Sequence, residues 1–263
     1  MSYDGINLDD WSRWDLIGGG IGERITKVAH SSLANPLTNH GDNCIQFQTT
    51  IVDKSACFHT YEDPRNAHRF NGNTDQSIWA VWRNHMDYGH SAINPNIDIG
   101  LRYSGGQSGT LYSYWLVVGY KGMFITTTNS TPGYCRLTPW SGTNPDTNNG
   151  VKYAHVFAPD TWHAIKLRVE PSGADDQILH AYLGSDIDNP DSFGEVTWTE
   201  VMTMKHTLVG ADEVTLGTKI ADFQGGPRVW GGKPNFVVNG AYAGYGAYYF
   251  GRIYIDSIGV KLN

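Results

Sequence analysis

The chain has 263 residues and a formal net charge of −7 at neutral pH. That balance argues against a nucleic-acid partner, which calls for a basic patch, and no apolar run approaches the ~20 residues of a membrane helix. Aromatic residues make up 13%, glycines number 31 and charged residues reach only 17%, a composition that favours strands over helices.

No linker of Ser, Pro or Glu and no charge block divides the chain, so one large domain is expected, over residues 31–263, behind an N-terminal segment of residues 1–30. That segment reads as an irregular arm. Trp11 and Trp14 punctuate an Asp-rich stretch, and Gly18, Gly19, Gly20 and Gly22 interrupt any regular element. A phosphate-cradling loop would need a strand before it and Gly-Lys-Ser/Thr after it, and neither is present. The arm would dock on its own body or on another subunit. Met1–Asn7 lacks a basic region followed by an apolar core, so no secretory signal is visible. Three cysteines, Cys44, Cys57 and Cys135, are an odd number without metal-ligand spacing. They read as buried free thiols of a protein made in a reducing cytoplasm.

Along the body, residues 43–52 alternate Cys44, Gln46 and Gln48 against Ile45, Phe47 and Ile51, which predicts a strand. Residues 57–70 read as a loop. Residues 76–85 predict a strand with Ile78, Ala80 and Trp82 on one face and Trp79, Val81, Arg83 and His85 on the other. Residues 96–104 follow. Residues 110–128 predict a hairpin turning at Gly119–Gly122. Residues 134–138 make a short strand. Residues 162–170 and 177–183 predict a second hairpin across Pro171–Asp176. Residues 195–206 alternate Val196, Trp198, Glu200, Met202 and Met204 against Thr197, Thr199, Val201 and Thr203. The stretch 215–236 is Gly- and Pro-rich, and 236–239 is a short strand before the aromatic loop 240–247.

Residues 248–263 carry the strongest strand signal. Ile253 and Ile255 share one parity, whereas Ile258, Val260 and Leu262 share the other, which predicts a bulge near Asp256 and Ser257. A terminus this apolar must pair on both sides to avoid an open edge, and residues 43–52 are its expected neighbour. The total is roughly ten to thirteen short strands, an antiparallel all-β sandwich or jelly roll.

The run Asp160–Val169 and the following Ile178–Gly184 resemble the hairpin "W-h-x-h-x-h … h-x-h-Y-h-(D/N)G" of concanavalin A-like lectin and glucanase folds, where h is an apolar residue. Residues 251–260 resemble the final strand of the same laminin-G-like jelly rolls. The resemblance covers the last hundred or so residues well and implies fold more than activity. Its members include lectins, glycoside hydrolases, polysaccharide lyases and modules of phage particles. The hydrolase branch implies two carboxylates on one strand in a Glu-x-Asp-x-x-Glu run, which this sequence lacks. The lyase branch implies Arg, His and Tyr converging on one sheet, for which Arg83 and His85 are the candidates.

Three other sites follow from residue type. Asp/Asn-rich turns supply the oxygens calcium requires, and residues 144–149, the set Asp186, Asp188 and Asp191, and Asp256 qualify for a structural calcium ion. Glycine-flanked rings at Trp230, Tyr242 and Tyr245 would stack on a sugar or bury in a subunit interface. Trp11 and Trp14 would anchor the arm. The expected role is a non-catalytic structural or attachment module of a phage particle: a capsid decoration, fibre or tail component, homo-oligomeric and assembled in the host cytoplasm onto other virion proteins. A carbohydrate-binding lectin-like module, extracellular in that case, and a polysaccharide-cleaving hydrolase or lyase are the alternatives.

Overall fold

The computed structural model describes residues 6–7, 14–19, 24–37, 41–48, 55–60, 74–86, 96–104, 112–119, 122–129, 133–136, 153–173, 176–187, 196–207, 210–213, 219–220, 233–239 and 251–262. The first six strands are β1 (Ile6–Asn7), β2 (Trp14–Gly19), β3 (Arg24–Ala29), β4 (Asn43–Gln48), β5 (Ser55–Thr60) and β6 (Gln76–Met86). Next come β7 (Asn96–Ser104), β8 (Tyr112–Gly119), β9 (Gly122–Asn129), β10 (Gly133–Arg136), β11 (Tyr153–Ala154) and β12 (His163–Ser172). The last six are β13 (Asp176–Ser185), β14 (Thr197–Thr207), β15 (Gly210–Glu213), β16 (Lys219–Ile220), β17 (Lys233–Asn239) and β18 (Gly251–Leu262).

Among the described residues these strands form two antiparallel sheets. The 10-stranded sheet runs β16-β15-β14-β13-β12-β6-β18-β4-β3, with β1 also on β18. The 8-stranded sheet runs β10-β9-β8-β7-β17-β5-β2, with β11 also on β9. Both predicted hairpins are present, β8–β9 closing at Gly119 and Gly122 and β12–β13 closing between Ser172 and Asp176.

The core lies between the sheets. Ile78, Ala80 and Trp82 of β6, Ile165, Leu167 and Val169 of β12, and Leu179 and Ala181 of β13 face Ile97, Ile99 and Leu101 of β7 and Tyr114, Leu116 and Val118 of β8. Period-two alternation puts these residues on one side of each strand. Strand β18 sits between β6 and β4, as its composition required, with Ile253 opposite Phe47 and Ile255 opposite Ile45. Its register against β6 shifts between Ile255 and Ser257, at the predicted bulge. The extra residue lets Ile253, Ile255, Ile258 and Val260 all reach the core.

Two expectations are corrected. Residues 1–30 are not wholly irregular: β1 pairs with β18, β2 with β5 and β3 with β4. Strand β3 covers the backbone edge that β4 would otherwise leave open. The glycines expected to break β2 instead accommodate a register shift between Leu16 and Gly18. Likewise the segment expected as a loop from residue 57 begins inside β5, which pairs with β17 on one side and β2 on the other.

A second, smaller apolar cluster lies on the outer face of the larger sheet, where residues 30–37 cross it. It joins Leu37, Cys44, Val81, Trp162, Ala164, Val196 and Tyr254. Cys44 is a buried free thiol, and burial, with the Asp256 charge beside it, pushes that thiol up to about 12. Cys57 and Cys135 lie outside the residues whose side chains are described. The bulge residue Asp256 is 7% exposed and accepts a hydrogen bond from His30 Nε2 at 2.9 Å. One side-chain pair therefore ties the 30–37 segment to the last strand.

At one end of the sandwich His163 is 8% exposed, packed against Trp82 and Phe157 with ring centroids 5.6 and 5.1 Å away. Its Nε2 donates to the Ala158 carbonyl at 3.0 Å. Burial pulls this imidazole down to about 4.

Two outcomes follow. Replacing His30 with alanine removes the imidazole donor from a buried carboxylate, so stability should fall by about 3 kcal/mol. Urea unfolding measures this, and adding Asp256→Asn to that variant should recover part of the loss. The second outcome concerns His163. Between its unfolded value of 6.5 and its folded value of about 4, the unfolded chain binds a proton that the folded chain does not. Its contribution is therefore complete above pH 6.5 and is lost as pH falls toward 4, by on the order of 3 kcal/mol in total. His163→Gln should flatten the fall of the urea midpoint across that window; an unchanged pH profile would show that His163 does not titrate there.

Candidate functional site

The outer face of the larger sheet carries an ordered array, built by register alone. Three cross-strand rows run from β18 through β6, β12 and β13 to β14. The first is Ser257, Val81, Ala164, Gly184 and Trp198; the second is Gly259, Trp79, Lys166, Tyr182 and Glu200; the third is Lys261, Ser77, Arg168, His180 and Thr203. Side chains directly opposite one another on antiparallel strands lie within contact distance, so each row is a line of touching groups.

Two tryptophans of this face pack against glycines, one by its face and one by its edge. A Cβ added to Gly259 would sit 1.9 Å from Cζ2 and 2.0 Å from Cε2 of Trp79, so the indole lies flat against the bare backbone of β18. A Cβ added to Gly184 would meet Val196 Cγ1 at 2.3 Å and Ala164 Cβ at 2.6 Å before Cζ3 of Trp198 at 3.1 Å, so the Trp198 indole touches this glycine by one edge. Both indoles are half-buried: each rests on the sheet on one side and keeps ring surface toward solvent. Between them Lys166 Nζ lies 4.1 Å from the Tyr182 ring centroid and 4.7 Å from that of Trp198. Burial, with Arg168 and Lys261 nearby, pulls the Lys166 ammonium down to about 8. The two ring faces oppose that pull by stabilising the cation.

A closed polar network frames the rings. Arg168 donates from Nε to Asp75 Oδ1 at 3.0 Å and from Nη2 to Asp75 Oδ2 at 2.6 Å, and its Nη2 is 2.5 Å from Glu170 Oε2. The Asp75 hydrogen bonds hold this guanidinium above its usual range. His180 bridges two carboxylates, Nδ1 to Glu200 at 2.9 Å and Nε2 to Glu170 at 3.3 Å. Thr203 Oγ1 also donates to Glu200. Tyr182 hydrogen-bonds both Arg168 and Glu200, and its phenol is raised by burial and then by the Glu200 charge. Burial works against ionisation of Glu200, but the Thr203 and His180 contacts overcome it, leaving its carboxyl below the ordinary value.

The expected site residues are distributed differently. Arg83 is 2% exposed. Its guanidinium donates to the Ala34 carbonyl and to Asp160 and lies 5.8 Å from the Trp162 ring and 5.4 Å from the Tyr254 ring. It clamps the 30–37 segment to the sheet. His85 Nδ1 is 2.9 Å from the same Asp160 carboxylate, so the two candidates do share a partner, and neither belongs to the three rows. Asp256 is buried against His30. Asp186 is exposed, has φ of 54° and accepts from Ser185 Oγ at 3.3 Å. Among the described residues no group of three or more His, Cys, Asp or Glu side chains is placed to hold a metal. Trp230, Tyr242, Tyr245, Asp188, Asp191, Trp11 and residues 144–149 lie outside the described residues, and Trp14 is described only as backbone of β2.

The 195–206 alternation also changes meaning. A register shift between Ala181 and Tyr182 opposes Met202 to Ala181 and Glu200 to Tyr182. Val201 is the extra residue, so Trp198 and Glu200 stand on the outer face while Met202 and Met204 enter the core. Strict parity places all four together. The available signal was chemical: a tryptophan and a glutamate do not share a dry face with two methionines unless the strand is interrupted.

No protein-family model matches the chain, and a search of curated proteins finds no match either. Solved structures do align with it. The endo-β-1,4-glucuronan lyase from the fungus Trichoderma reesei aligns with a TM-score of 0.50 at 10% identity, over 100% of this chain and 95% of that chain. The carbohydrate recognition domain of Emp46p in its potassium-bound form has a TM-score of 0.45 at 10% identity, over 98% and 95%. The exoplasmic/lumenal domain of VIP36 in its Ca2+-bound form has a TM-score of 0.45 at 8% identity, over 99% and 88%. By strand order and by the first of these likenesses, the chain has the concanavalin A-like jelly-roll fold.

Proposed function

We propose that the chain is a non-catalytic carbohydrate-binding module that holds a glycan against the outer face of its larger sheet. The observation that carries this reading is the pair of half-buried indoles, Trp79 laid over Gly259 and Trp198 edge-on to Gly184, with Lys166 against the Tyr182 and Trp198 rings. Rings immobilised in this way offer apolar area at little further entropy cost, and the surrounding hydroxyl and ammonium groups offer the hydrogen bonds that orient a sugar. The fold shared with a glucuronan lyase is compatible with a polysaccharide ligand. The non-catalytic reading rests on the carboxylates of this face: Glu170 and Glu200 both engage His180, and Asp75 engages Arg168, so each is already committed within the network. Attachment of a virion to a glycan-bearing surface is the setting in which we place such a module.

The test is a glycan array followed by calorimetry on the best ligand, using the full chain. Trp79→Ala and Trp198→Ala should each weaken binding about tenfold, or about 1.4 kcal/mol, with the circular dichroism of the folded protein retained. Unchanged affinity in both variants would remove the glycan from this face. The same ligands incubated with the protein should stay intact by size-exclusion chromatography; depolymerisation that His180→Ala abolishes would replace this reading with the enzyme alternative.

A further inference from the structure

The end of the sandwich holds a cleft that meets the sheet-face array only at Ala164 and Gly184. It has a volume of about 530 Å³ and lies where the 153–163 segment crosses the ends of β12, β13 and β14. That is within the range of small-molecule sites. Among the described residues lining it there is no Asp, Glu, Lys or Arg. The polar groups there are instead Tyr153, His155, Thr161, His163, Ser185 and Thr199, set between Trp162 and the apolar side chains of Leu183 and Val201.

The hydrogen-bonding state of these groups narrows the ligand. Since the Ala158 carbonyl can only accept, His163 Nε2 carries the proton in that contact, and in the neutral ring Nδ1 is left as an acceptor. The neighbouring His155 is edge-on to His163 at 6.1 Å between centroids. Burial lowers both imidazoles below their ordinary value, so both are neutral near pH 7. An anion or cation in this cleft would be partly desolvated without a charged partner. A purely apolar molecule would strip water from several donors and acceptors and return nothing to them. A hydroxyl-rich neutral ring satisfies both conditions, because its apolar face meets Leu183, Val201 and the edge of Trp162 and its hydroxyls meet the imidazoles, the phenol and the three side-chain hydroxyls.

We propose that this cleft is a second ligand site, taking one neutral pyranose ring such as the terminal residue of a glycan chain. The site shares Ala164 and Gly184 with the first row of the sheet face but none of Trp79, Lys166 or Tyr182, and it stands whether or not that platform binds a glycan.

The experiment follows the histidine ring signals of the full-length protein by NMR at pH 7.5. The probes are methyl β-D-glucopyranoside, methyl α-D-mannopyranoside, methyl β-D-galactopyranoside and sodium glucuronate. At least one neutral glycoside should shift the His155 and His163 signals saturably, with glucuronate weaker by about tenfold or more. His155→Ala, at a half-exposed position, should abolish saturable shifts at His163 while the fold is retained. Trp79→Ala should leave them unchanged, which separates this site from the sheet face. Three results would overturn the proposal: no neutral glycoside shifting both rings, glucuronate shifting them equally well, or loss of the shifts in Trp79→Ala.

Discussion

The structure depends first on the bulge at Asp256. Strand β18 is the shared neighbour of β6 and β4 and so joins the two halves of the larger sheet. Its apolar residues fall on two parities, and a regular strand would bury one set and expose the other. The register shift between Ile255 and Ser257 resolves that conflict by adding a single residue. Every row on the outer face inherits its alignment from this correction, because Ser257, Gly259 and Lys261 turn outward only beyond the bulge. Gly259 is then opposite Trp79, where a side chain of any kind would meet the indole.

The bulge also creates a need that the rest of the chain meets. It leaves Asp256, an acidic residue, at 7% exposure, and a carboxylate so placed needs a hydrogen-bond donor. His30 supplies one from far away in sequence, and the 30–37 segment is held over the outer face by the same contact. Arg83 secures the segment further along through the Ala34 carbonyl, and Trp162 Nε1 donates to Asn35 at 3.0 Å. The covered third of the face is thus apolar and closed, whereas the β12–β14 portion stays open and polar. One sheet surface serves as a small second core at one end and a ring-bearing platform at the other.

The platform and the cleft would recognise a ligand by different physics. On the platform, ring faces are laid against backbone that lacks side chains, and ion pairs around them fix the framing groups; the charges are compensated in place. In the cleft, permanent charge is missing among the described lining residues and burial keeps the imidazoles neutral. A chain long enough to reach both would be gripped along its length by stacking and at its end by hydrogen bonds.

The amino-acid sequence by itself determined the class of fold, the two hairpins, the bulge in the last strand and the pairing of that strand with residues 43–48. Each of these is written in local alternation or in a turn signal, which two-residue periodicity makes readable. Arg83 and His85 were also legible as sharing one strand face. Only the tertiary structure decided what that face meets: a covering segment for Arg83. It likewise decided that the tryptophans, Lys166, Tyr182 and Glu200 form rows, since β6, distant in sequence, must be set in register against β12, and β14 must slip at Val201, before any row exists. The bulge at Val201 and the strands within residues 1–30 escaped for the same reason. Parity within one strand is a local property, but which neighbour covers an edge, and where a ladder must slip to keep both faces satisfied, is settled by the partner strand.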